Sequence, residues 1–92
     1  MSTTIAALEK KLKQNPYDQD LLVKYAKALV ADGRRKDAIT TLHTALTRKP
    51  YLWLVHYNLG TLFEEAEHMP PSIARQYAFE HYKQCIQLKP DY

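Results

Sequence analysis

The 92-residue sequence predicts an all-α fold of stacked helix pairs, and three observations carry that prediction. Glycine is scarce, at two residues, and the five prolines stand at Pro16, at Pro50 and Pro90, and in the Pro70-Pro71 pair. Few turn formers at wide spacing favour long helices with short connections over many short strands. Apolar residues recur at intervals of four ahead of Pro16, Pro50 and Pro90, which places them on one helical face. The pattern also repeats: Pro16 to Pro50 is 34 residues and Pro50 to Pro90 is 40, so the second interval carries six extra residues.

Five helices follow, at about 3–14, 18–32, 36–48, 52–67 and 71–88. The first places Leu12, Leu8 and Thr4 four, eight and twelve residues before Pro16. The second begins at Asp18, a natural N-cap, and ends at Gly33, which is free to take the left-handed conformation beyond a helix end. The third places Leu46, Leu42 and Ala38 before Pro50, in the spacing of the first. The fourth matches the second: Leu59, Gly60 and Phe63 stand as far beyond Pro50 as Tyr25, Ala26 and Leu29 stand beyond Pro16. The fifth can hold Pro71 in its first turn, where a missing N–H is harmless, and carries Ala78, Tyr82 and Ile86 before Pro90. The insertion, about Glu67 to Ser72, lengthens this last helix or the turn before it. Small residues at Ala26, Gly60, Ala38, Ala45 and Ala78 mark close helix approaches, and bulky residues fill the spaces between.

A helix-turn-helix period of 34 residues with this pattern resembles the tetratricopeptide repeat family. In the second repeat the resemblance is carried by Tyr57-Asn58-Leu59-Gly60, Phe63, Ala78, Tyr82, Cys85 and Pro90. In the first it is carried by Tyr25, Ala26, Leu29, Gly33, Ala38, Leu42, Ala45 and Pro50. His56 stands where the family often has Trp, and Cys85 replaces its usual Ala. The resemblance implies an α-α superhelix filling a single domain over 1–92. Residues 3–16 form a leading helix or half repeat, 19–52 a first repeat, and 53–90 a second with its insertion near 67–72.

The function it implies is non-enzymatic: a scaffold or adaptor that binds a peptide or partner protein. The first helices of successive pairs would line a concave groove, with Lys24, Lys27, Leu54, Tyr57, Asn58 and Thr61 on its wall. Tyr57 offers apolar contact, Asn58 hydrogen bonds to a peptide backbone, and the two lysines attraction for an acidic group. The family's carboxylate-gripping variant is not expected, because only Asn58 matches its residue set and Val23 stands where its first Lys would be. A second contact surface is expected on the last helix at Ile73, Tyr77, Tyr82 and Ile86, which exceed what one neighbouring pair would cover. Such a patch suits a partner or a homodimer.

Other chemistry finds little support. His81 and Cys85 are four apart on one helix, a spacing that suits two metal ligands, yet no third or fourth ligand lies near in sequence. His43, His56 and His68 are scattered. No phosphate loop, carboxylate pair or nucleophile motif occurs, so no enzyme, cofactor or metal site is expected. Glu64, Glu65 and Glu67 read as a solvated cluster. Nucleic-acid binding is the alternative class, resting on Lys10, Lys11 and Lys13, on Arg34, Arg35 and Lys36, and on Arg48 and Lys49. A net charge of +3 and the lack of interleaved aromatic residues argue against it. Neither a signal-like run in Met1 to Leu12 nor a bilayer-length apolar stretch is present, and one cysteine forms no internal disulfide, so a cytoplasmic protein is expected.

Overall fold

The computed structural model describes residues 2–66 and 69–91. It contains α1 (Ser2–Gln14), α2 (Gln19–Ala31), α3 (Arg35–Arg48), α4 (Trp53–Glu64) and α5 (Pro71–Leu88), with no strand among the described residues. Each helix packs on the next in the chain, and α2 also touches α4. The helices therefore zigzag as stacked pairs, the arrangement of an α-α superhelix.

The helix ends follow from local chemistry. Asp18 accepts a hydrogen bond from the Leu21 N–H at 3.2 Å, filling one of the orphan donors of the first turn of α2. At the far end Gly33 takes φ +78°, Arg34 N–H donates to the Leu29 carbonyl at 2.8 Å, and Gly33 N–H donates to Val30 at 2.9 Å. This paired closure satisfies two carbonyls that the helix cannot reach. The prolines end α3 and α5 in one geometry. Lys49 (φ −133°, ψ 78°) and Lys89 (φ −140°, ψ 77°) are pushed out of the helical region by the ring that follows. Their N–H groups close back on Ala45 and Cys85, each at 2.8 Å, as Asn15 does on Lys11 at 3.0 Å.

The insertion divides between turn and helix. Six residues, 65–70, link α4 to α5 where three, 32–34, link α2 to α3, and α5 has 18 residues against the 14 of α3. The fourth helix was expected to run to residue 67 but ends at Glu64, with Ala66 N–H closing on the Phe63 carbonyl at 3.1 Å. Pro70, held extended at ψ 142° ahead of Pro71, stands at the cap position of α5. Pro71 occupies the first turn of α5. Glu67 and His68 lie outside the described residues, and with them part of the insertion and of the acidic cluster.

The core runs between the pairs. Leu29, Leu42, Val55 and Leu59 are fully buried, with Ala26, Ala38 and Ala45 allowing the close approach. Tyr25 ties α2 to α1 by donating to Glu9 Oε2 at 2.9 Å. At Gly60 the close approach is to an aromatic ring: an added Cβ would lie 2.6 Å from Cε1 and 2.7 Å from Cδ1 of Tyr82.

Candidate functional site

Two linked depressions lie along the faces of α1, α2 and α4. One, of about 520 Å³, lies between α1 and α2 and is walled by Ala7, Leu8, Lys11, Lys24 and Lys27. The other, of about 230 Å³, lies between α2 and α4 and is walled by Lys27, Val30, Asn58, Thr61, Leu62 and Glu65. Lys27 stands on both, so the two form one concave path with a cationic end at Lys11, Lys24 and Lys27. None of these three lysines makes an ion pair within the described residues. The turn arginines behave differently: Arg34 pairs with Asp37 at 2.9 Å and Arg35 with Glu65 at 3.4 Å.

The spacing of α2 and α4 is held by a residue that sequence reasoning missed. Gln19, at the start of α2, accepts from the Leu54 N–H at 2.8 Å. Leu52, at the cap position of α4, has no capping side chain, so a neighbouring helix supplies the acceptor. Glutamine at the start of a helix carries no sequence signal for such a role, because its partner lies 35 residues away.

The expected groove residues divide. Lys24 and Lys27 are exposed, and Lys27, Asn58 and Thr61 line the path between α2 and α4. Asn58 donates one amide hydrogen to the Leu54 carbonyl at 3.2 Å, leaving its oxygen and second N–H for another partner. Thr61 donates to the Tyr57 carbonyl at 3.2 Å. Leu54 is half-buried and anchored through its backbone. Tyr57, 40% exposed, turns toward α5, where its ring centroid is 5.6 Å from that of Tyr82. It was expected on the groove wall; helical spacing puts it on the α5 side of α4 instead.

The expected contact set on α5 divides as well. Helical spacing sets Ile73 and Tyr77 on one flank, with Tyr77 5.2 Å from the ring of Phe63. Ile86 lies on the other flank with Phe79, which sequence reasoning left out, and these two are 63% and 62% exposed. Tyr82 is half-buried against Gly60, its hydroxyl 3.4 Å from Thr61 Oγ1. The four residues expected as one surface therefore do not share one.

The histidines also depart from expectation. His56 is buried and partnered: its Nδ1 is 3.1 Å from His81 Nδ1 and its Nε2 is 2.8 Å from the Pro50 carbonyl oxygen. A carbonyl only accepts, so His56 Nε2 carries a hydrogen, and in the neutral pair His81 Nδ1–H donates to the lone pair of His56 Nδ1. His81 stacks on Phe63 at 5.7 Å. Burial, then the charges that His56 and His43 would carry, push the pKa of His81 down to about 4. The legible signal was register: His56 and His81 occupy places held by Leu22 and Thr41 in the first repeat. Cys85 is buried, and burial raises its thiol above the usual range, which disfavours the thiolate that a ligand or nucleophile needs. No group of three or more metal-ligating side chains comes together among the described residues.

Stacked helix pairs with a continuous concave path define a helical-repeat protein. The family model described as tetratricopeptide repeat matches residues 1–53, which covers α1, α2 and α3, and the chain belongs to that family. Searches of curated proteins and of solved structures found no match. No helix among the described residues is long and apolar enough to cross a membrane.

Proposed function

We propose that this chain is a non-catalytic protein-interaction module that holds a segment of a partner protein along the concave path of α1, α2 and α4. In this reading residues 1–92 act as one domain, a half repeat at 3–16 followed by repeats at 19–52 and 53–90. The observation that carries the reading is the placement of Lys27 on both depressions beside Lys11 and Lys24. Cations without a counter-ion among the described residues suit an acidic stretch of the partner. Asn58, with an amide oxygen and one N–H to spare, suits the backbone of an extended peptide. Nucleic acid fits less well, because Arg34 and Arg35 are engaged with Asp37 and Glu65. A cytoplasmic setting accords with a single, buried, free cysteine.

The test is affinity capture from the native source with three baits: wild type, Lys24→Glu/Lys27→Glu and Asn58→Ala. The expected result is a partner held by wild type, lost to the charge-reversed bait and weakened by Asn58→Ala. Equal recovery by all three removes the groove from consideration.

A further inference from the structure

One stripe occurs three times in this chain. Four, eight and eleven residues before the terminating proline stand Leu12, Leu8 and Ile5 on α1, Leu46, Leu42 and Ile39 on α3, and Ile86, Tyr82 and Phe79 on α5. On α1 the stripe packs into the core beside α2. On α3, Leu42 and Leu46 are buried and Ile39 packs on the same cluster, to which α4 brings Leu52, Val55, Leu59 and Leu62. On α5 the neighbouring α4 reaches only Tyr82, which is half-buried, and Phe79 and Ile86 are the most exposed large apolar residues described.

Charge extends the parallel. Arg35, fifteen residues before Pro50, reaches Glu65 at 3.4 Å just past the end of α4. Arg75 stands fifteen before Pro90 at the same place on α5 and makes no ion pair among the described residues. The opposite end of the stack is built differently. Thr4 and Lys11 stand on α1 at the register positions that hold Ala38 and Ala45 on α3 and Ala78 and Cys85 on α5. On α5 the exposed Phe79 and Ile86 leave an apolar strip beside polar residues such as Arg75, Glu80 and Lys83.

We propose that the α5 stripe of Arg75, Phe79, Tyr82 and Ile86 docks an amphipathic helix from a partner polypeptide, laid antiparallel to α5. That helix carries aliphatic residues in the spacing of Leu52, Val55, Leu59 and Leu62, with a carboxylate three residues beyond the last, where α4 has Glu65. The α4 copy of this pattern is itself in the core, so a second copy of the folded chain does not present it. Its exposed residues, Arg75, Phe79 and Ile86, lie apart from the concave path, which Tyr82 touches only at Thr61 Oγ1, 3.4 Å from its hydroxyl.

The probe is a fluorescent peptide of residues 50–66, the helix that covers the equivalent stripe on α3, with a lactam bridge between positions 57 and 61 on its outer side. Titrated with the full chain, it should bind saturably at one site. Phe79→Glu/Ile86→Glu should weaken it at least about tenfold, and these exposed positions leave the fold intact. Arg75→Glu should weaken it roughly threefold, and Glu65→Arg in the peptide should restore the loss against that variant. Lys24→Glu/Lys27→Glu should leave it unchanged, which separates this surface from the groove. Absence of binding, or binding indifferent to Phe79→Glu/Ile86→Glu, overturns the proposal. So does sedimentation of the wild type as a dimer that this double substitution makes monomeric, because the face then belongs to a second copy.

Discussion

The two residue contacts that most distinguish the second repeat from the first are His56 on His81 and Gly60 on Tyr82. His81 lies partly buried on Phe63 and is held neutral, its pKa near 4 against 6.5 in an unfolded chain. The unfolded chain therefore takes up a proton below pH 6.5 that the folded chain refuses. The contribution of His81 is complete above pH 6.5 and is lost as pH falls from 6.5 to 4, on the order of 1–2 kcal/mol after allowing for the ring's partial exposure. Urea unfolding of wild type beside His81→Gln should show that slope only in the wild type; parallel curves would contradict it. Gly60→Ala should destabilise the fold by about 1–3 kcal/mol, because its Cβ meets the Tyr82 ring at 2.6 Å. In a Tyr82→Leu background the same change should be nearly neutral, since the first repeat carries Ala26 and Leu42, both buried, at the equivalent positions. An equal loss in both backgrounds would locate the strain elsewhere. The small size of residue 60 was legible from its register with Ala26. The ring that requires it was not, because register placed Tyr82 on the last helix without saying which residue of α4 it would meet.

At the scale of the helices, sequence and structure agree where the information is local. Asp18, Gly33, Pro71 and the residues ahead of Pro50 and Pro90 act on neighbours within five positions, and each marks the boundary expected of it. Gly33→Ala should cost about 1 kcal/mol in thermal unfolding through backbone strain at φ +78°, because nothing lies within 4 Å of the added carbon. What was not legible is what passes between helices. Gln19 supplies the N-terminal acceptor of α4 from the start of α2, a contact that spans the whole repeat. Gln19→Ala should destabilise by about 1–2 kcal/mol and speed hydrogen exchange at the Leu54 amide before any global opening. An unchanged Leu54 exchange rate would show that the bond is not a cap. The end of α4 was placed three residues too late, because no glycine stands after it as Gly33 stands after α2 to mark the stop.

At the scale of the whole molecule, the five-helix stack was legible because a repeated unit announces itself twice: a chance pattern seldom recurs with the same offsets from two prolines. The candidate surfaces were less so. A helical wheel assigns a residue to a side, but not to the neighbour that side will meet, and so Tyr57 moved from the groove to α5 and Ile73 parted from Ile86. Lys27, Asn58 and Thr61 line one depression, and Lys24 lines the other beside Lys11, a residue not expected there. The use of this path as a binding surface is the central claim, and photocrosslinking tests it most directly. Asn58→p-benzoylphenylalanine, on the groove wall, should crosslink in native cells to a partner segment, recovered by mass spectrometry. The same replacement at Thr40, exposed on α3 and on neither wall, should not. Crosslinks of equal yield from both positions, or from Thr40 alone, would contradict a groove-bound partner.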